Sequence, residues 1–162
     1  MVEMAAQREG RTGALLAIGV GGLVAGGADL LQACVQHGGR VPLLIAGGLL
    51  GARAEQGGAW VYALGVALHF GIALTAAGIY YAASRRLQFM TEYSLLSGLY
   101  FGLSVGLVMD LIVLPLCALH DTDPWPIQTL VYGLVQKMIV VGLPIAYGVR
   151  WFGGRQIAGD VL

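Results

Sequence analysis

Residues 58–84 read GAWVYALGVALHFGIALTAAGIYYAAS, an uninterrupted stretch with no Asp, Glu, Lys or Arg that ends against Arg85 and Arg86. A helix rises 1.5 Å per residue and a bilayer core is about 30 Å thick, so about 20 apolar residues suffice to cross it. Three more mostly apolar stretches are long enough by the same rule, at residues 12–36, 94–119 and 127–152. Polar or helix-breaking sequence closes them: His37-Gly38-Gly39-Arg40 after the first, the run from His120 to Pro126 after the third, and Gly153-Gly154-Arg155 after the fourth. The sequence therefore predicts an all-α integral membrane protein, a single four-helix transmembrane domain filling residues 1–162.

Composition agrees. Of 162 residues, 57% are hydrophobic and 11% charged, with 26 glycines and a net charge of zero. A soluble domain carries roughly a quarter charged residues, and a soluble core of this size could not hide so much apolar surface. Without net charge there is no field to draw the chain to nucleic acid, and none is expected as a partner. The lipid bilayer is the expected environment. Aromatic residues sit where interfacial anchoring puts them. Trp60, Tyr62, Trp125 and Tyr132 mark one side; Tyr80, Tyr81, Tyr93, Tyr147 and Trp151 mark the other.

A fifth apolar run, residues 41–52 (VPLLIAGGLLGA), is too short to cross. It reads as an interfacial or re-entrant helix in the first outer loop, or as a buried loop helix packed on the bundle. The basic residues orient the chain. Arg8, Arg11, Arg85, Arg86, Arg150 and Arg155 fall on one side, whereas only Arg40 and Arg53 fall on the other, with Glu55, Asp121 and Asp123. The positive-inside rule puts both termini and the middle loop in the cytoplasm of a bacterial inner membrane, the protein being multi-pass. Leu31-Gln32-Ala33-Cys34 has the outline of a lipoprotein cleavage site, but Asp29 interrupts the apolar run and Gln32 is large for that position. An uncleaved first span is expected.

The two halves share features. Gly21, Ala25 and Asp29 are spaced by four, as are Gly102, Gly106 and Asp110; Val61-Tyr62-Ala63-Leu64 matches Val131-Tyr132-Gly133-Leu134. These suggest a two-helix parallel repeat about an axis along the membrane normal. Gly98, Gly102 and Gly106, with Gly22 and Gly26, form small-xxx-small stripes that suit packing within one chain or between copies.

The chemistry lies in the ionisable groups within the spans. Asp29, His69, Asp110 and Lys137 all stand away from span ends. By helix rise, Asp29 lies roughly 10 Å, Asp110 roughly 14 Å, and His69 and Lys137 near 15 Å below the outer surface. Such groups cost on the order of 3 kcal/mol each in hydrocarbon, so they face protein or water. Together with Gln136 they make a buried polar cluster with two readings. One is a site that binds an ion or relays protons, for which carboxylates and imidazole are the usual parts. The other is a set of ion pairs that fixes helix register. In the outer loops, His37, His120, Asp121 and Asp123 are weak candidates for a divalent metal, with a spacing that matches no defined metal motif. Cys34 and Cys117 would join as a disulfide in an oxidising compartment, or pack as free thiols. Pro115 and Pro144 interrupt the third and fourth spans and are expected to kink them. No nucleophilic triad, phosphate loop, metalloprotease helix or CxxC pair is present, so neither enzymatic activity nor a cofactor is expected.

Residues 43–60 (LLIAGGLLGARAEQGGAW), 63–70 (ALGVALHF), 100–116 (YFGLSVGLVMDLIVLPL) and 141–147 (VGLPIAY) resemble a family of bacterial four-helix inner-membrane proteins to which no activity is assigned. The resemblance runs from Gly26 to about Tyr147 and implies the fold class and an inner-membrane location. It also implies asparagine where Asp110 stands and histidine near Lys137, which shifts weight toward Leu68-His69-Phe70. Function then divides into two expectations. One is a small oligomeric channel or transporter for protons or small solutes that uses the cluster. The other is a non-transporting accessory subunit of a larger membrane complex.

Overall fold

The computed structural model describes residues 2–118 and 126–153, with side chains from Gly10 onward apart from Glu55. Within these residues the chain is helical and has no strand. Four helices are long and apolar enough to cross a membrane: α1 (Val2–His37), α3 (Ala59–Ser84), α5 (Ser94–Leu116) and α6 (Ile127–Gly153). Two short helices join them, α2 (Val41–Leu50) between α1 and α3, and α4 (Phe89–Glu92) between α3 and α5.

The surface is apolar all round. Leu15, Leu23, Leu31 and Val35 on α1, Ile72 and Ile79 on α3, Leu95 and Leu111 on α5, and Val131 and Ile139 on α6 are exposed. Soluble proteins do not leave contiguous apolar surface of this extent bare. What is buried instead is small: Ala17, Ala25, Ala76, Ala77 and Ala146 make much of the core, with Tyr80, Ile145 and Val149 as its large members.

Glycine sets the distances between helices. A Cβ on Gly142 of α6 would fall on the Gly98 carbonyl of α5, and one on Gly98 would stand 3.0 Å from the Gly142 carbonyl. Gly102 lies against the backbone of Lys137 and Met138 in the same way. On the other side of α6, a Cβ on Gly148 would stand 2.9 Å from Gly21 Cα of α1. Gly22 and Gly26 of α1 admit Leu74, Ala73 and Phe70 of α3. The glycine stripes are thus filled by neighbours within the chain, the intramolecular option of the two that their spacing allowed.

The resulting order is α3, α1, α6, α5, with α3 and α5 scarcely touching along the spans. Between them runs an apolar groove of about 790 Å³ lined by Leu68, Ile72, Ile79, Val105 and Val108. It closes at the end nearer the chain termini around Tyr80. The Tyr80 hydroxyl donates to the Met90 carbonyl at 3.1 Å and shares a 2.8 Å hydrogen bond with Ser97 of α5, while its ring meets Phe101 edge-on at 5.0 Å.

At the opposite end α2 packs along α3. Val41, Pro42, Ala46 and Gly47 are buried, and a Cβ on Gly65 would fall on the Pro42 carbonyl. Gly38 (φ +85°) ends α1 and Gly51 (φ +66°) ends α2, both in left-handed geometry that favours glycine. A 3₁₀ turn over Gly51–Gln56 replaces the last residues expected of the short helix. The third span also stops short of residue 119. Cys117 is extended, and the Ala118 N–H donates to the Gly48 carbonyl of α2 at 2.8 Å, drawing the chain out of helical register.

The two in-span prolines are accommodated by widened turns. A π stretch at Met109–Val113 precedes Pro115, with the Leu114 N–H donating to Met109 five residues back, and a second at Met138–Gly142 precedes Pro144. Proline has no N–H and its ring clashes with the carbonyl four residues earlier, so a wider turn relieves both problems.

Three outcomes check this packing. Gly102→Val should destabilise the detergent-solubilised chain by about 3 kcal/mol, the upper range for overpacking, in reversible unfolding. Gly27→Val, where a Cβ meets nothing within 4 Å, should change it by less than about 1 kcal/mol. Tyr80→Phe should lower stability by about 1 kcal/mol in the same assay. The effect is modest because Ser97 still donates to the Met90 carbonyl at 2.9 Å.

Candidate functional site

Asp29 sits one turn beyond Gly26 on α1. Gly26 has no side chain, so Phe70 and Ala73 of α3 come close, and His69 arrives beside them. The His69 Nε2–H donates to the Gly26 carbonyl at 2.9 Å, which makes Nδ1 the unprotonated nitrogen of the neutral ring. The same Nε2 is 3.9 Å from Asp29 Oδ2, and the ring meets Phe70 edge-on at 5.8 Å.

Lys137 reaches Asp29 from α6. Its ammonium donates to both carboxylate oxygens, at 2.7 Å to Oδ1 and 2.9 Å to Oδ2. The stem runs beside Gly106 of α5, where a Cβ would stand 3.4 Å from Lys137 Cγ. The glycine face that lets α5 approach α6 therefore also makes room for the lysine. The side chains of Asp29, Lys137 and His69 keep 17%, 29% and 15% of their surface, so the pair is partly screened rather than sealed.

Two cavities meet at this ion pair. A cleft of about 330 Å³, its polar side chains set in a larger apolar wall, runs between α1, α5 and α6 from Gln36, His37 and Thr129 near the first-loop end down to Asp29 and Lys137, passing Gln32, Asp110 and Gln136. Behind the pair lies a smaller cavity of about 210 Å³, walled by His69, Gly26, Val41, Ile45, Met109 and Val141. Asp29, Ala33 and Lys137 line both, so the bonded carboxylate and ammonium stand between them.

The structure joins Asp29, Lys137 and His69 in direct contact, and places Asp110 and Gln136 in the same cleft. Asp110 lies within electrostatic reach of Lys137 but forms no hydrogen bond or ion pair with any described residue. His37 lines the mouth of the cleft, whereas His120, Asp121 and Asp123 lie outside the described residues. Among the described residues no three His, Cys, Asp or Glu side chains gather as a metal site. Cys34 and Cys117 are not joined; both are free thiols, and Cys117 packs against Gly48 of α2 instead.

Sequence reasoning missed Gln32, Gln36, Thr129 and Tyr132, yet the signal was there. Positions 29, 32 and 36 repeat at helical spacing on α1, as do 129, 132 and 136 on α6. Each set is a polar stripe on one face of an otherwise apolar helix.

Comparison of the chain with protein-family models, with curated proteins and with solved structures finds no match. The site's own geometry is what bears on function.

The pair can be probed by stability. Lys137→Ala leaves Asp29 without its counter-charge and should destabilise the chain by about 3 kcal/mol, near the lower range for breaking a buried pair, because both groups keep some water. Adding Asp29→Asn should recover most of that loss, and a double-mutant cycle in reversible unfolding reads the coupling.

Proposed function

We propose that the chain is a small multi-pass channel or transporter of a bacterial inner membrane, passing protons or small solutes by way of Asp29, Lys137 and His69. What carries this reading is the placement of a bonded ion pair at the meeting point of two cavities, one bearing polar side chains and reaching the first-loop end, the other holding the imidazole. A pair that served only to fix helix register would need neither cavity. Arg85 and Arg86, which follow α3, support an orientation in which the α3–α5 connection and the termini lie in the cytoplasm under the positive-inside rule and the cleft opens outward. Four helices in one chain enclose little space, so the working form is a homo-oligomer.

A second reading, an accessory subunit of a larger membrane complex, draws on a different observation. The α3–α5 groove is bare along its length, as a helix-docking face would be.

Flux separates the two. Proteoliposomes holding the wild-type chain should pass protons or cations above the rate of empty liposomes. Asp29→Asn and His69→Ala should each cut that flux at least tenfold while the protein remains folded. Flux equal to that of empty liposomes overturns transport and directs the search to copurifying membrane proteins.

A further inference from the structure

Among the described residues, Asp29, Asp110 and Lys137 bring three charges to the cleft, with His37 at its mouth, and only the Asp29–Lys137 pair is in direct contact. Both Asp29 oxygens are bonded to Lys137, so the lysine's charge is already engaged. Asp110, on the π stretch Met109–Val113, contributes a second carboxylate with no direct partner among the described residues. With both carboxylates ionised, one ammonium leaves an excess of one negative charge inside a membrane span, where an unmatched ion is costly. The site calls for one positive charge.

The walls say what kind. A bare metal ion is ill suited, since the described residues gather no three acidic or histidine ligands. The cleft has about 330 Å³, the room of roughly ten water molecules at ~30 Å³ each and the low end of the range of small-molecule sites. Leu114 and Leu130 supply carbon surface beside the carboxylate, and the Tyr132 ring adds an aromatic face that attracts cations. Thr129 and the glutamine amides add neutral acceptors for further N–H groups.

We infer that the cleft binds a small organic ammonium ion, its charged nitrogen on the Asp110 carboxylate and its carbon body against Leu114, Leu130 and Tyr132. This names the solute class for the transport reading and rests on that reading for the solute's passage, while binding itself stands apart from it. Binding leaves the Asp29–Lys137 pair intact, because the incoming charge is taken by the carboxylate that the pair does not use.

The test is thermal unfolding of the full chain in detergent, titrated with n-butylammonium chloride, with 1-butanol and potassium chloride at matched concentrations as comparisons. The expected result is a saturable rise in melting temperature with n-butylammonium alone. Asp110→Asn should weaken that affinity at least tenfold and Asp110→Glu should retain it. Tyr132→Ala, altering an exposed ring, should weaken it at least threefold and serves if the Asp110 variants do not fold. No saturable rise, an equal rise with potassium chloride or 1-butanol, or affinity unchanged in Asp110→Asn or in Tyr132→Ala overturns the inference. Flux decides the other matter independently. Ammonium binding without any flux removes transport and keeps the site, whereas proton flux without ammonium binding keeps transport and removes this solute class.

Discussion

Helices in lipid gain little from pressing carbon against carbon, because the acyl chains are as apolar as leucine. Association then depends on close approach, where dispersion and polar contacts add up. In this chain the approach between α5 and α6 is set where Gly98 meets Gly142 and Gly102 meets the backbone at Lys137. Everything polar follows from it. With α5 this close, the lysine stem lies beside Gly106, and its ammonium arrives at Asp29 on α1. The glycines of α1 do the same for α3 and bring His69 to the opposite side of the same carboxylate.

The ion pair that results is not a strong argument for stability on its own. Removing two charges from water costs several kcal/mol per ion, and their attraction repays this only when geometry is good. Here the lysine bonds both carboxylate oxygens, and partial exposure lowers the desolvation cost as well as the attraction. His69, with Nε2 3.9 Å from Asp29 Oδ2, donates to the Gly26 carbonyl instead.

The spans were legible because length and hydropathy decide them, and α3 matches residues 58–84 to within one residue at its start. The end of α5 was not, since it depends on Ala118 bonding to Gly48 of α2, a contact that no local pattern announces. The four ionisable members of the polar cluster were legible as a set, because ionisable residues in apolar helices are few, and Gln136 was legible as the neighbour of Lys137. Their pairing was not. Asp29 and Asp110 look equivalent in sequence, and only the azimuth of each helix gives the lysine to the first and leaves the second bare. The prolines forecast a disturbance, but not its form as π turns. Gln32 and Gln36 could have been read from their helical spacing on the face of Asp29.

Those π turns have a further consequence. Each α-helical residue advances about 100° around its axis, so a five-residue π stretch holds one residue's worth of rotation out of phase with the helix on either side. In α6 the stretch Met138–Gly142 lies between Lys137 and the packed segment at Ile145 and Gly148. If that stretch tightened to α geometry, the two sides would have to turn against each other. Either the lysine would swing off Asp29, or Gly148 would leave Gly21. The wide turn is in this sense a phase lag wound into the helix, and it couples the charge contact at Lys137 to backbone packing about three turns away.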